Sequence, residues 1–236
     1  CGMNEGSPAG NRSSTVSLFQ RTYSSLRNRN YRLFFIGQLI SLTGTWMQRT
    51  AEGWLIYQLT GSKLLLGWVS ALSFAPMFFL STVGGAVADR YPKRPLLIAT
   101  QLAAIFPAVA MAVLITGHWI QVWHIMVLAA VSGVVMAFDM PTRQAFVVEM
   151  VGEEDLLNAI ALNSTTFNGA RIVGPAVAGY VMGKLGVGPC YWLNGVSFLA
   201  VVVGLYLMRL PKHKPTKIQE SPWQHALGGF RYLRGD

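Results

Sequence analysis

The chain has 236 residues, of which 52% are hydrophobic and only 12% charged. A soluble domain carries about 25% charged residues, and the 24 glycines suit helices packed closely in lipid, so these numbers exclude an ordinary soluble domain. The formal charge is +9, and its placement decides whether it points to an anionic polymer or to membrane topology.

Residues 1–30 are polar and basic and read as a tail on the cytoplasmic side, with no apolar core of a signal peptide. Six apolar stretches follow, near 32–59, 64–88, 95–117, 120–142, 156–183 and 189–209. Each supplies the roughly 20 residues that a spanning helix needs. The bundle is expected over 31–210. Residues 211–236 read as a cytoplasmic linker, in which Trp223, Leu227 and Phe230 share one face of an amphipathic helix.

The 19 lysines and arginines sort by side. With both ends of the chain inside, 15 fall on the inner side, two (Lys63 and Lys184) outside, and Arg49 and Arg171 within the membrane. That split satisfies the positive-inside rule. It accounts for the net charge, so no nucleic-acid partner is expected. Cys1 and Cys190 make no disulfide framework, and no metal-ligand cluster, phosphate-cradling loop or nucleophile elbow is present. No enzyme activity, cofactor or metal is therefore expected.

Between the second and third spans stands "GGAVADRYPKRP". Small residues allow a neighbouring helix close, an acid ends the helix, and bases hold the turn inside. Gly85, Asp89, Arg90, Lys93 and Arg94 match the signature of the major facilitator superfamily, with Pro92 where that family commonly has glycine. In the fifth span, Gly169, Gly174, Pro175 and Gly179 resemble the superfamily's antiporter motif, which is associated with export. The junction "DMPTRQAFVVEMVGEEDLLNAIALNS" at 139–164 is similar to the exporter branch that holds the enterobactin exporter and macrolide efflux proteins.

The resemblance implies an all-α membrane protein. It would be the six-helix N-terminal half of a major facilitator fold, built from two inverted three-helix repeats, in the cell inner membrane. It implies a secondary active transporter that carries a small amphipathic molecule, such as a siderophore or drug, outward in exchange for protons. The alternative is a membrane scaffold or receptor that kept the fold without transport. The partners implied are the substrate, protons, the bilayer and a C-terminal half.

Arg49 and Glu52 share a face of the first span, one turn apart. Charges at that depth are costly. The residues alone leave two readings open: an ion pair near the outer interface, or a pair facing a water-filled cavity. The resemblance favours the cavity, with Glu52 as proton carrier and Arg49 as its counter-ion. Arg171 on the fifth span is the third buried charge, and Glu52 is expected to be shared between both arginines. Asp89, Asp139 and Arg143 form the inner network, in which an Asp89–Arg143 contact is expected to latch one conformation. His118 and His124 read as interfacial residues beside Trp119 and Trp123.

Overall fold

The computed structural model describes residues 29–208, except the side chains of residues 152–155. The basic tail before residue 29 and the amphipathic segment holding Trp223, Leu227 and Phe230 lie outside the described residues. Five helices fill the rest: α1 Arg29–Thr60, α2 Lys63–Arg90, α3 Lys93–Thr116, α4 Val122–Leu185 and α5 Gly188–Leu207. No strand occurs among the described residues.

Local chemistry sets the turns. Gly61 takes a left-handed φ of 64° and donates its N–H to the Tyr57 carbonyl at 2.8 Å, which closes α1. Ser62 then caps α2 by accepting from the Leu65 N–H at 3.3 Å. Pro92 forces Tyr91 out of the helical region, to φ −108° and ψ 152°, so α2 stops and α3 starts at once. The proline of the signature loop thus makes the turn that glycine makes elsewhere. Gln121 and His124 cap the start of α4 reciprocally, the Gln121 N–H donating to His124 Nδ1 at 3.1 Å. His124 is therefore a helix-capping residue, in keeping with its interfacial place.

α4 corrects the expected break between the fourth and fifth spans. Its 64 residues run as helix without interruption. A straight helix of that length would reach about 96 Å, three times the hydrocarbon core. It does not run straight. Ile125 and Ala129 share one core cluster with Ala178 and Val181, and Phe146 and Met150 share another with Ala159 and Leu162. The run doubles back between Met150 and Ala159, giving two antiparallel arms. The junction has no proline and only Gly152, so its sequence does little to end helical geometry.

Four segments are long and apolar enough to cross a membrane: Lys63–Arg90, Lys93–Thr116, Val122–Val151 and Gly188–Leu207. α1 and the second arm of α4 are the other two expected spans. They carry Arg49, Glu52 and Arg171 along with several amides and hydroxyls, which lowers their hydropathy.

In lipid, apolar burial between helices gains little, because the tails are as apolar as leucine. Close backbone approach and interhelical hydrogen bonds must hold the bundle instead. Gly84 of α2 lies against the Ala137 carbonyl of the first arm, and Gly133 of that arm against the Ser73 carbonyl of α2. Gly174 of the second arm lies against Trp46 and Met47 of α1, and Gly44 of α1 against Asn194 and Ser197 of α5. α3 packs on α5 and α4. Exchanging the first three spans with the last three maps these pairings onto one another: α2 with the first arm becomes the second arm with α1. That is the pattern of two inverted three-helix repeats.

Candidate functional site

One end of the bundle carries the basic residues of the α2–α3 turn. Lys93 pairs with Glu149 of α4 at 3.4 Å. Arg94 donates to the Tyr206 carbonyl of α5 at 3.2 Å. The turn is thus tied to both neighbours. Asp89 and Arg90 are exposed, and neither joins an ion pair among the described residues. Gly85 faces open space, and the close approach falls on Gly84.

Arg143 does not reach Asp89 for an ion pair. It donates to Asp139 on its own helix and to Gln38 of α1. Asp139 is 5% exposed and also accepts from Thr100 Oγ1 and Gln101 Nε2 of α3, each at 2.7 Å. The expected Asp89–Arg143 contact is thus not made in this arrangement, in which Arg143 takes other partners. Asp139 sits one turn from Arg143 on the same helix, where side chains four apart are neighbours. The result is a node that joins α1, α3 and α4.

Between the two apolar clusters lies a cavity of about 200 Å³, lined by all five helices. Asp139, Arg143 and Gln101 line it toward the basic end. Arg49, Glu52 and Gln48 of α1 and Tyr191 and Asn194 of α5 line it farther along. Asn194 Nδ2 donates to Gln48 Oε1 at 2.6 Å, and Ser197 Oγ to Asn194 Oδ1 at 3.0 Å. Glu52 interacts electrostatically with both Arg49 and Tyr191.

Neither arginine comes within ion-pair distance, 4.0 Å, of Glu52, so the expected sharing of that carboxylate is not what the structure holds. Arg49 lies instead 5.3 Å from the centre of the Trp46 ring and 5.5 Å from that of Phe74, with one guanidinium nitrogen 3.5 Å from Met136 Sδ. Arg171 is exposed, lines no part of the cavity, and stands 5.7 Å from the same Trp46 ring. Phe167 meets Trp46 edge-on at 5.6 Å. Aromatic faces and a thioether thus do what the carboxylate was expected to do.

Of the antiporter-motif residues, Gly174 carries the contact with Trp46, and Pro175 lies within α4 without breaking it. Gly169 and Gly179 have open space where a side chain would stand. Trp46, Gln38, Gln48, Thr100, Gln101, Tyr191 and Asn194 escaped the sequence reading. Gln38, Gln101 and Asn194 had a signal, since each interrupts an apolar run, as in "IATQLAAI" and "YWLNGVS".

Comparison with known proteins adds the family. The model of the family described as transmembrane secretion effector matches residues 20–235. The staphyloferrin A transporter of Staphylococcus aureus is 27% identical over 193 residues, covering 80% of this chain and 47% of that protein. An enterobactin exporter of Shigella boydii is 25% identical over 216 residues, covering 86% of this chain and 49% of that protein. A Bacillus subtilis protein named as an uncharacterized transporter of the major facilitator type is 26% identical over 175 residues, covering 73% of this chain and 40% of that one. The chain spans about half the length of the curated relatives it matches. It is a membrane protein that belongs to the transmembrane secretion effector family of the major facilitator superfamily.

Proposed function

We propose that this chain is the N-terminal six-span half of a secondary active transporter. It would export a small amphipathic molecule, a siderophore, drug or similar compound, by proton-coupled alternating access. The observation that supports this most is Glu52, a carboxylate on the face of a cavity shared by every helix of the bundle. A carboxylate there can exchange a proton as the site turns from one side of the membrane to the other. The export direction rests on the antiporter-motif residues Gly169, Gly174, Pro175 and Gly179 and on the exporter among the relatives.

In this reading the basic end faces the cytoplasm of the inner membrane, as the distribution of lysine and arginine requires. Asp89, Arg90, Lys93, Arg94, Asp139 and Arg143 form the inner gate. The contacts Lys93–Glu149, Arg94–Tyr206 and Arg143–Asp139 hold it in one of its two arrangements. A second six-span half completes the transport path.

The test is efflux from proteoliposomes that hold this chain together with its second half, driven by an imposed pH gradient. Glu52→Gln should abolish gradient-driven efflux while leaving substrate binding measurable. An undiminished rate would remove Glu52 from proton coupling. A protein that moves no substrate under any gradient would instead fit a scaffold that kept the fold.

A further inference from the structure

α3 and α5 run antiparallel and touch along their length. Gly188 lies against Thr116, Gly195 against Val109, and Arg94 donates to the Tyr206 carbonyl at 3.2 Å. Gly188, Gly195, Leu199 and Tyr206 recur at intervals of seven, four and seven, so they share one side of α5. Leu102, Phe106 and Val109 share one side of α3 by intervals of four and three. Of these, Leu102, Phe106, Leu199 and Tyr206 are exposed, as is Val203 between the last two. They wall an apolar furrow along the α3–α5 contact. Gln101 and Met111 of α3 and Asn194 of α5 line the cavity, so the furrow opens away from it, toward lipid.

Arg94 closes the basic end of this furrow. Its bond to the Tyr206 carbonyl caps the last turn of α5 and fixes the guanidinium in place. A guanidinium carries five N–H donors, and Arg94 joins no ion pair among the described residues. Phe106 stands twelve residues from Arg94 along α3, about 18 Å on a helix. One leaflet of a hydrocarbon core about 30 Å thick has nearly that depth. A cationic fork thus stands at the end of an apolar furrow one leaflet deep. The exposed Tyr206 ring beside it suits the headgroup level.

We propose that this furrow binds an anionic phospholipid of the inner leaflet, with its phosphate on Arg94 and one acyl chain between Leu102 and Phe106 on one wall and Leu199 and Val203 on the other. The phosphate takes the donors that the Tyr206 carbonyl leaves unused, in the forked geometry that a guanidinium offers. A net negative headgroup fits better than a zwitterionic one. Arg90 is exposed and Lys93 partly so on the same basic turn, and a headgroup ammonium would stand among them. Of the carboxylates at this end, Glu149 is held by Lys93 and Asp139 by Arg143. Asp89 stands on α2, which packs chiefly on α4. The inference takes from the export reading only that the basic end faces the cytoplasm and that the second half covers the cavity side. It is independent of transport.

The experiment is photocrosslinking in nanodiscs that hold this chain together with its second half. One probe is a phosphatidylglycerol and the other a phosphatidylcholine, each with a diazirine midway along the same acyl chain. Label should concentrate on residues 102–106 and 199–206, with the anionic lipid favoured about fivefold, the scale of one arginine at an anionic membrane surface. Arg94→Gln should remove that preference. Arg32→Gln, which takes an exposed arginine from the start of α1, should keep it. Val203→Trp fills the furrow from an exposed position and should displace both lipids at an unchanged melting temperature. If Arg94→Gln fails to fold, Val203→Trp decides alone, because it touches no polar contact. Equal labelling by the two lipids overturns the proposal. So does a loss in Arg32→Gln as large as that in Arg94→Gln, which would be surface charge alone, or unchanged labelling in Val203→Trp. Absence of label from both segments would mean that the second half covers the furrow, and overturns it too. The export reading fails separately, since labelling is read without any substrate. A labelled furrow in a protein that moves nothing removes export alone, and gradient-driven efflux with an unlabelled furrow removes the lipid site alone.

Discussion

Gly174 of the second α4 arm lies against Trp46 of α1, so closely that a β-carbon on it would stand 2.5 Å from the Trp46 β-carbon and 3.0 Å from the Met47 nitrogen. The antiporter-motif glycine thereby sets where Trp46 stands, and Trp46 sets where both Arg49 and Arg171 stand.

Gly174→Ala should therefore force the second arm away from α1. Overpacking of this kind costs about 1–3 kcal/mol. Gly179→Ala, with open space around it, should be neutral. Thermal unfolding in detergent compares the two. Equal melting temperatures for both variants would mean that the arms yield freely.

The signature loop allows the same comparison at neighbouring positions. Gly84→Ala drives a methyl group into the Ala137 carbonyl, which belongs to a backbone that cannot rotate away, and should destabilise the bundle. Gly85→Ala meets nothing and should leave stability unchanged. If Gly85→Ala lowers transport at unchanged stability, Gly85 acts in a contact outside the described residues.

Asp139→Asn should be severe. It leaves Arg143 without its ion pair and replaces the acceptor of Thr100 and Gln101 with a group that accepts more weakly. Breaking a buried pair costs roughly 3–5 kcal/mol. Asp139→Asn combined with Arg143→Met should cost less than the sum of the single changes, because each single change strands the other partner. An additive cycle would show that the two residues act independently. Asp89→Asn, at an exposed position without an ion pair, should change stability little by the same measurement.

Lys93→Ala removes a partly exposed pair with Glu149. It should cost under about 1 kcal/mol, and less in high salt. A salt-independent loss of several-fold larger size would mean that Glu149 depends on Lys93 for more than charge.

Much of the fold was legible because each spanning helix must satisfy its own backbone and bury it in lipid, which leaves long apolar runs in the sequence. The expected stretches 32–59, 64–88, 95–117 and 189–209 coincide with α1, α2, α3 and α5 to within a few residues, whereas the fourth, expected to end at 142, runs on as apolar helix to Val151. The junction of the fourth and fifth spans was legible as a reversal but not as continuous helix, since nothing in "VVEMVGEEDLLN" forbids either.

The candidate site divides along the same line. Arg49, Glu52 and Arg171 stand out in sequence because charge in an apolar run is expensive wherever it points. Asp139 and Arg143 stand out by their spacing of four on one helix. Which partner each charge takes is another matter. Pairing depends on the rotation of each helix about its axis and on how closely its neighbours approach, and both are set by contacts between residues far apart in the chain. So the sequence alone determined the spans, the membrane and the list of charges that fall within the spans, but not that Arg171 among them is exposed. Only the tertiary structure decided that Arg143 turns to Asp139 and Gln38 rather than to Asp89, and that Trp46, held by Gly174, receives the two arginines expected on Glu52.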